Sequence, residues 1–189
     1  MIHYAEYDAY GKYIVKNSTW SMDGVEASNG GFIYFGEVDP LTQYHDVVIN
    51  APVALPERPS PNHRFDYAKK QWIDPRTLND IKLAKWAIIK QARSSAEFGG
   101  FTWDGSPFDS DAISQSRIQG AVQLAAMAPG FTIDWTLANN SVRNLSAADL
   151  ANVGAALGMH VATQHAKART LRSQIEAATT PAEVEAVTW

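Results

Sequence analysis

The stretch from Ala147 to Ala177 contains no proline and only two glycines, and it constrains the fold more than any other part of the chain. Ser146 precedes it and Asp149 follows three residues later, which is a capping-box pattern for a helix start. A helix of this length extends about 45 Å. Its apolar residues recur at helical spacing, as the stripe Leu150, Val153, Leu157, Val161, Ala168, Leu171 and Ile175. The sequence therefore predicts one very long helix, with a β-hairpin before it (131–145) and a short helix after it that ends on Trp189.

Composition changes near residue 76. All seven tyrosines lie in the first 67 residues, whereas alanine occurs 6 times in residues 1–76 and 22 times in residues 77–189. Aromatic and β-branched residues favour strands, and alanine favours helices. We therefore predict an α+β fold with a small N-terminal β-rich module (1–76), followed by a mainly helical module with two β-hairpins and one long helix (77–189).

The N-terminal part has strand patterns separated by turn residues. Asn29, Gly30 and Gly31 predict a tight turn between the first two strands. Four prolines in segment 51–61 predict an extended or polyproline-like path, because proline removes ladder donors. The candidate strands are 12–16, 31–38, 43–50, 63–67 and 71–74. The predicted core consists of Tyr13, Val15, Phe32, Tyr34, Val48, Phe65 and Trp72.

The C-terminal part contains two further helices before the long one. Thr77 with Asp80 predicts a helix start, and this helix continues to about Phe98. Its predicted inward stripe is Leu78, Ile81, Ala84, Ile88, Ile89 and Ala92. A hairpin at 101–108 turns at Asp104–Gly105. A second helix begins near Asp111, buries Ile118, Ala121, Val122 and Ala125, and stops at Pro129–Gly130.

Charge and cysteine content exclude several classes of protein. The net charge is -4, which argues against binding to nucleic acid or to an anionic membrane. The chain has no cysteine, so it has no disulfide, no thiolate metal site and no cysteine nucleophile. The first residues lack the basic and apolar regions of a signal peptide, and no apolar run approaches the ~20 residues of a membrane span. We expect a protein made in a cytoplasm and not inserted into membranes.

No constellation for catalysis is present in the sequence. No serine lies in a nucleophile-elbow pattern, and no phosphate-binding glycine loop occurs. His160 and His165 are five residues apart, which turns their side chains about 140° away from each other on a helix. Asp104, Asp109 and Asp111 are too irregularly spaced for a calcium loop. We expect a protein that is not an enzyme, without catalytic residues, cofactor or metal.

Several spaced motifs in the C-terminal half carry a family resemblance. They lie at 107–126, 131–150, 156–175 and 181–189. On these motifs, residues 77–189 resemble an uncharacterised domain family found at the C-terminus of bacteriophage tail-fibre-type and other small tail proteins. Segment 56–74, a proline-rich stretch before a short aromatic hairpin, is similar to a feature of tail-fibre assembly proteins. The resemblance implies a structural component of a tail fibre, tail tip or baseplate, located in the virion tail, and gives no catalytic residue.

Surface expectations follow from the residues and from this resemblance. The N-terminal module has more aromatic residues than a small β fold can bury. We therefore expect Tyr10, Trp20, Tyr34 and the 51–61 stretch to contact another tail or baseplate protein or another copy of this chain. We expect Leu157, Val161 and Leu171 to face other helices, either in the same chain or in symmetry mates. A helix of this length argues for self-association, and the resemblance makes a homotrimer the natural choice. Two alternatives remain: a tail-fibre assembly chaperone, and a module that binds a host-surface receptor or glycan. A hydrolase is a distant further alternative.

Overall fold

The structure, a computed structural model, describes residues 1–23, 25–27, 31–128 and 130–189. The chain folds into two compact units, Met1–Arg76 and Thr77–Trp189, which we call the first unit and the second unit. Short strands build the first unit, whereas the second contains helices and two hairpins, so the predicted α+β class is confirmed. In the part of the chain that the structure describes, no helix has both the length and the apolar character that a membrane span requires.

An antiparallel three-stranded sheet with the order β2-β1-β3 opens the first unit. Its strands are β1 (Ile2–Tyr7), β2 (Tyr13–Thr19) and β3 (Phe32–Phe35). The expected strands at 12–16 and 31–38 coincide with β2 and β3, but β1, which the sequence pattern did not predict, pairs with both. Asn29 and Gly30 of the expected turn lie outside the described residues.

Two hairpins complete the first unit. They are β4 (Gln43–Asp46) with β5 (Ala51–Ala54), and β6 (Arg64–Asp66) with β7 (Gln71–Ile73). The expected strand at 43–50 was too long, because residues 47–50 form the turn between β4 and β5. Pro52 pairs with His45 in this ladder. A proline is tolerated there because each strand of a two-stranded sheet is an edge strand.

Aromatic rings make up a large part of the core of the first unit. Its buried members are Ala5, Tyr7, Tyr13 and Val38, with Tyr34 packed against them. His45 is fully buried and stacks on Tyr7, with ring centroids 3.9 Å apart. The predicted core was wrong at two positions: Val48 is 89% exposed and Phe32 is 50% exposed. Val48 is exposed because it belongs to a turn, not to a strand.

The helices of the second unit begin where the sequence predicted. Thr77, Ser146 and Thr180 each form a reciprocal capping box with the acidic residue three positions later. The elements are α1 (Leu78–Glu97), β8 (Phe101–Trp103), β9 (Ser106–Phe108), α2 (Ala112–Met127), β10 (Thr132–Thr136), β11 (Val142–Ser146), α3 (Ala147–Ala177) and α4 (Pro181–Ala186). The last helix ends at Ala186 rather than at Trp189. Pro129, half of the predicted stop of α2, lies outside the described residues.

Helix α3 runs through two separate hydrophobic clusters. Its N-terminal part packs with α2 and the hairpins around Phe108, Ile118 and Leu145, which are all essentially buried. Its C-terminal part packs with α1 and α4 around Ile89 and Val184. The long helix is therefore covered by different elements of the same unit along its length, which offsets the entropic cost of ordering it.

The inward face of α1 differs from the predicted stripe. Ile81 and Ile89 are buried as expected, but Ala84 and Ile88 are exposed. Lys85 lies between the buried positions, is half-buried, and donates to the carbonyl oxygen of Glu185 at 2.9 Å. The predicted stripe was rotated around α1 because it treated Lys85 as facing solvent, although Lys85 is half-buried.

Candidate interaction surfaces

The aromatic residues predicted to meet a partner differ in exposure. Tyr10 is 59% exposed and Trp20 is 81% exposed, so both side chains are available for contact. Tyr34 is half-buried, and its ring centroid lies 5.2 Å from that of His45 in the core. Tyr34 therefore contributes to the fold of the first unit, whereas Tyr10 and Trp20 are surface residues.

The three residues predicted to form a helix interface lie against helices of their own unit. Leu157 and Leu171 are 4% and 9% exposed, and Val161 packs against the cluster around Phe108. The neighbours of α3 are α2 on one part and α1 on another. The length of α3 therefore does not require a second copy of the chain.

Three consecutive apolar residues form the turn between β4 and β5, and we call them the apolar tip. Val47 is 44% exposed, Val48 is 89% exposed and Ile49 is 64% exposed. The Asp46 carboxylate accepts hydrogen bonds from the backbone N–H of Val48 at 2.9 Å and of Ile49 at 3.3 Å. These two bonds lower the pKa of Asp46. The ionised Asp46 carboxylate thus holds the backbone of the apolar tip in one conformation. Three consecutive exposed apolar side chains in an ordered turn are unusual on a protein surface.

The turn between β6 and β7 has the same construction but different side chains. Asp66 accepts hydrogen bonds from the N–H groups of Ala68 and Lys69, both at 3.0 Å. Lys70 has φ 55°, and Asn50 at the equivalent position of the first turn has φ 54°. The second turn has Tyr67, Ala68 and Lys69 where the first has Val47, Val48 and Ile49, so it folds without branched aliphatic side chains. The apolar side chains of the first turn are not needed for its geometry, and they need another explanation.

Contacts with the buried His45 hold the apolar tip in place. The His45 Nε2 atom lies 3.0 Å from the Asn50 amide oxygen, which ties the end of the turn to the core. The other ring nitrogen of His45 lies 3.4 Å from the hydroxyl of Tyr13. Burial, together with its tyrosine neighbours, raises the pKa of Tyr13 to about 12. Gly11 leaves room for this arrangement, because a Cβ atom there would lie 1.8 Å from the His45 carbonyl oxygen.

The sequence analysis missed the apolar tip because it assigned residues 43–50 to one strand. A usable signal was present at Asp46–Asn50. Aspartate favours turn formation by accepting hydrogen bonds from the backbone two and three residues on. Asparagine tolerates positive φ, and Asn50 has φ 54°.

The two histidines of α3 bracket the end of α1. His160 Nε2 donates to the carbonyl oxygens of Ala96 and Glu97, both at 3.1 Å. His165 Nε2 lies 3.1 Å from the carboxylate of Glu97. The buried Ser110 hydroxyl donates to the Glu97 carbonyl at 2.6 Å. His160 and Ser110 thus satisfy carbonyl groups that a helix end leaves unpaired. His165 instead pairs with the side chain of Glu97, so both histidines connect α3 to the end of α1.

The aspartates considered as metal ligands make separate contacts. The Asp104 carboxylate lies 2.6 Å from the Arg143 guanidinium, which also stacks 4.8 Å from the Trp103 ring centre. Asp111 caps α2 by accepting hydrogen bonds from two backbone N–H groups. Among the described residues, no group of three or more His, Asp or Glu side chains could hold a metal ion.

Comparison with protein families places most of the second unit in one family. Residues 80–188 of the 189-residue chain match the family described as Domain of unknown function (DUF4376). The searches of curated proteins and of solved structures found no match. The family match extends from the first turn of α1 to the residue before Trp189, so it covers all four helices and both hairpins of the second unit. The chain therefore belongs to the DUF4376 family.

Proposed function

We propose that this protein is a non-enzymatic structural component of a bacteriophage tail and that its first unit attaches it to another tail or baseplate protein. The resemblance of residues 77–189 and of segment 56–74 to tail proteins supports the setting. The observation that carries the attachment role is the apolar tip, in which Val48 is 89% exposed on a turn that does not need it.

A partner that covers the tip gains hydrophobic free energy. Full burial of a valine or isoleucine side chain is worth about 1.5–3 kcal/mol. The turn is already ordered by Asp46 and by the link from Asn50 to His45, so little conformational entropy is lost on binding. Trp20 and Tyr10, both exposed, add the residue types that dominate the energetics of interfaces.

The tail assignment is tested by mass spectrometry of purified virions. A structural component is present in the particles at a fixed copy number. A tail-fibre assembly chaperone is present in infected cells and absent from the particles. Absence from purified virions contradicts the structural role and favours the chaperone.

The attachment role is tested by a matched pair of substitutions. Val48→Asp should yield particles that lack this protein, because a charge in a buried contact carries a large desolvation cost. Ala68→Asp places the same side chain at the equivalent position of the β6–β7 turn and should leave incorporation unchanged. Equal incorporation of both variants, with the wild-type amount, contradicts a role of the apolar tip in attachment.

A second function, recognition of a host-surface glycan, is favoured by the exposure of Trp20. Sugars stack on exposed aromatic rings through their apolar C–H faces, and Trp20 is 81% exposed. Trp20→Ala should then reduce adsorption of the phage to host cells while the protein remains in the particles. Loss of the protein from the particles instead assigns Trp20 to attachment.

A further inference from the structure

The hairpin of β10 and β11 leaves the outer edge of β10 without a backbone partner. The Leu137 N–H donates to the Ser141 carbonyl oxygen at 2.8 Å, so this pair and every second pair before it are the hydrogen-bonded pairs of the ladder. The residues between them, Thr132, Asp134 and Thr136, therefore point their N–H and C=O groups away from β11. In the part of the chain that the structure describes, no hydrogen bond engages these backbone groups, which we call the free edge.

The continuation of β10 supports this direction. Ala138 is the next residue in the alternation, and its N–H donates to the Pro107 carbonyl oxygen of β9 at 3.1 Å instead of to β11. Strand β9 therefore meets this edge only beyond Thr136, and the stretch from Thr132 to Thr136 has room for a further strand.

Helix α2 forms the second wall of a groove beside β10. Two cavities follow one another between these elements, and Arg117 and Trp135 line both of them. The first cavity has a volume of about 300 Å³ and is polar, with Asp109 and Asp134 in its lining. The second has a volume of about 340 Å³ and is mainly apolar. Its apolar residues are Ala121, Leu124, Phe131, Ile133 and Trp135. A strand edge and a groove thus lie side by side.

The donors and acceptors of the free edge match an extended backbone. Alternate residues of a strand are about 6.8 Å apart, so the free edge presents its N–H and C=O groups at this repeat. An extended segment presents its own groups at the same repeat, whereas a helix uses them for its internal hydrogen bonds. Addition of an extended peptide to an exposed strand edge is a recurrent mode of peptide recognition.

The groove also indicates which side chains such a segment carries. In a strand added to β10, alternate side chains point to the same face as Ile133, towards the apolar cavity. Gly120 keeps the α2 side of this cavity open, since no atom lies within 4 Å of a Cβ added there. The polar cavity has the carboxylates of Asp109 and Asp134 against the single guanidinium of Arg117, which favours a basic side chain. The matching segment alternates apolar residues with lysine or arginine.

A second copy of β10 fits this edge poorly. Asp134 is the middle residue of the free edge, so two antiparallel β10 strands in full register would place Asp134 opposite Asp134. Like charges directly opposite each other destabilise a strand pair. Charged side chains on an edge strand are one way in which proteins prevent self-pairing. The same carboxylate attracts a basic segment.

We propose that the groove between β10 and α2 binds an extended, basic and alternately apolar segment of a partner protein, which adds to the free edge as a further strand. This binding role is independent of the tail assignment, because it rests on backbone hydrogen bonding and on the lining of the groove. It belongs to the second unit and is separate from the attachment role of the apolar tip.

The first experiment titrates the isotope-labelled full-length protein with a short synthetic peptide in which valine alternates with lysine. The amide resonances of Thr132, Asp134 and Thr136 should shift, and the exchange of their amide protons with solvent should slow. A peptide of the same sequence with every backbone nitrogen methylated lacks the donors and should not bind. A peptide with glutamate in place of lysine should bind more weakly, because it meets the two carboxylates.

The second experiment uses two residues that lie directly opposite each other in the hairpin, Thr136 and Val142. Thr136→Pro removes an N–H group of the free edge and keeps the β10–β11 ladder, because proline is tolerated where the N–H faces away from the partner strand. Its affinity for the valine–lysine peptide should fall about tenfold or more, since a peptide carbonyl group loses its donor. Val142→Pro removes the N–H that points to the other side of the hairpin and should keep the wild-type affinity. Helical circular dichroism checks that both variants are folded.

Several results would overturn the proposal. One is a free edge whose amide resonances and exchange rates do not respond to the valine–lysine peptide. Another is equal binding of the methylated peptide, which means that the backbone of the segment is not recognised. A third is the same affinity in folded Thr136→Pro and Val142→Pro. An oligomeric wild type that Thr136→Pro converts to a single chain would assign the edge to another copy of this chain instead of a partner protein.

Discussion

The two units of this protein differ in how they bury their apolar side chains. The first unit buries a small group of tyrosine rings around His45 and leaves Trp20, Leu41 and Val48 more than 80% exposed. The second unit closes two mainly aliphatic clusters along α3. Short strands in two- and three-stranded sheets offer little surface behind which a side chain can be buried. Among the described residues, the three most exposed large apolar side chains therefore lie in the first unit, whereas the buried clusters of the second unit stabilise its fold.

The composition allows the units to be followed separately. All seven tyrosines belong to residues 1–67, so the nuclear magnetic resonance signals of selectively labelled tyrosine report on the first unit. All four helices belong to the second unit, so the helical signal reports on that one. A variant that acts on one unit should change one signal first. Identical changes in both signals would contradict the division into separately stabilised units.

The largest effect is expected in the aliphatic core of the second unit. Leu150 is fully buried on α3 in the cluster around Phe108. Leu150→Ala removes apolar contacts and leaves a cavity, which typically costs about 2–5 kcal/mol. The helical signal should be lost at a lower denaturant concentration, and the tyrosine signal should be unchanged. A cost below about 1 kcal/mol would mean that this cluster does not form the main core.

Glycine at position 11 provides the corresponding test of the first unit. Gly11 has φ +86°, and a Cβ atom would lie 1.8 Å from the His45 carbonyl oxygen. Gly11→Ala should destabilise the first unit by about 1–3 kcal/mol from backbone strain, with a similar cost from the clash. The tyrosine signal should change and the helical signal should persist.

Gly105 in the second unit allows the cost of backbone strain to be measured without a steric clash. Gly105 has φ +70°, and no atom lies within 4 Å of the position of its added Cβ. Gly105→Ala should therefore cost only about 1–2 kcal/mol, the penalty for a left-handed residue with a side chain. If Gly11→Ala costs no more than Gly105→Ala, the contact between Gly11 and His45 is looser than the structure shows.

The acid sensitivity of α3 gives a smaller effect. A hydrogen bond from the Ser146 hydroxyl, followed by one from its N–H group, lowers the pKa of Asp149 below its ordinary value of 3.8. A carboxyl group with a lowered pKa in the folded state stabilises the fold above pH 3.8, and this contribution is lost as the pH falls through the folded pKa. Asp149→Asn should reduce the dependence of helical stability on pH in this range.

A second variant checks the cause of this effect. Ser146→Ala removes the hydroxyl that holds the Asp149 carboxylate, so the pKa of Asp149 in the folded state should move back towards 3.8, and the loss of α3 stability in acid should be smaller than in the wild type. An acid titration of the helical signal that is the same in the wild type and both variants would contradict a contribution of this capping box.

The sequence was most informative where local chemistry determines structure. The starts of α1, α3 and α4 were predicted because a threonine or serine is followed three residues later by an acidic residue. These caps depend on neighbours within one turn of helix, so no long-range information is needed. The hairpin turn at Asp104–Gly105 was predicted for the same reason, and both residues have positive φ.

The sequence was least informative where distant segments decide the structure. β1 pairs with β3 across a separation of more than twenty residues, and nothing within Ile2–Tyr7 specifies that pairing. The apolar tip was assigned to a strand because Val47–Ile49 has strand-forming residues, although Asp46 turns the chain there. The face of α1 was misplaced because Lys85 reaches a carbonyl group on α4, a contact that helical periodicity does not contain.

The two glycines of α3 test how closely the helices of the second unit are packed, because Gly154 faces a neighbouring side chain and Gly158 does not. A Cβ atom at Gly154 would lie 2.8 Å from a methyl group of Val122 on α2, whereas no atom lies within 4 Å of one at Gly158. Replacing glycine by alanine within a helix gains about 0.5–1 kcal/mol when there is room for the methyl group. Gly158→Ala should therefore raise the stability of the helical signal by this amount. Gly154→Ala should gain less or lose stability, because Val122 must move. Equal gains in stability for both variants would mean that α2 and α3 are not held at a fixed separation. The close packing of the second unit would then not include this pair of helices.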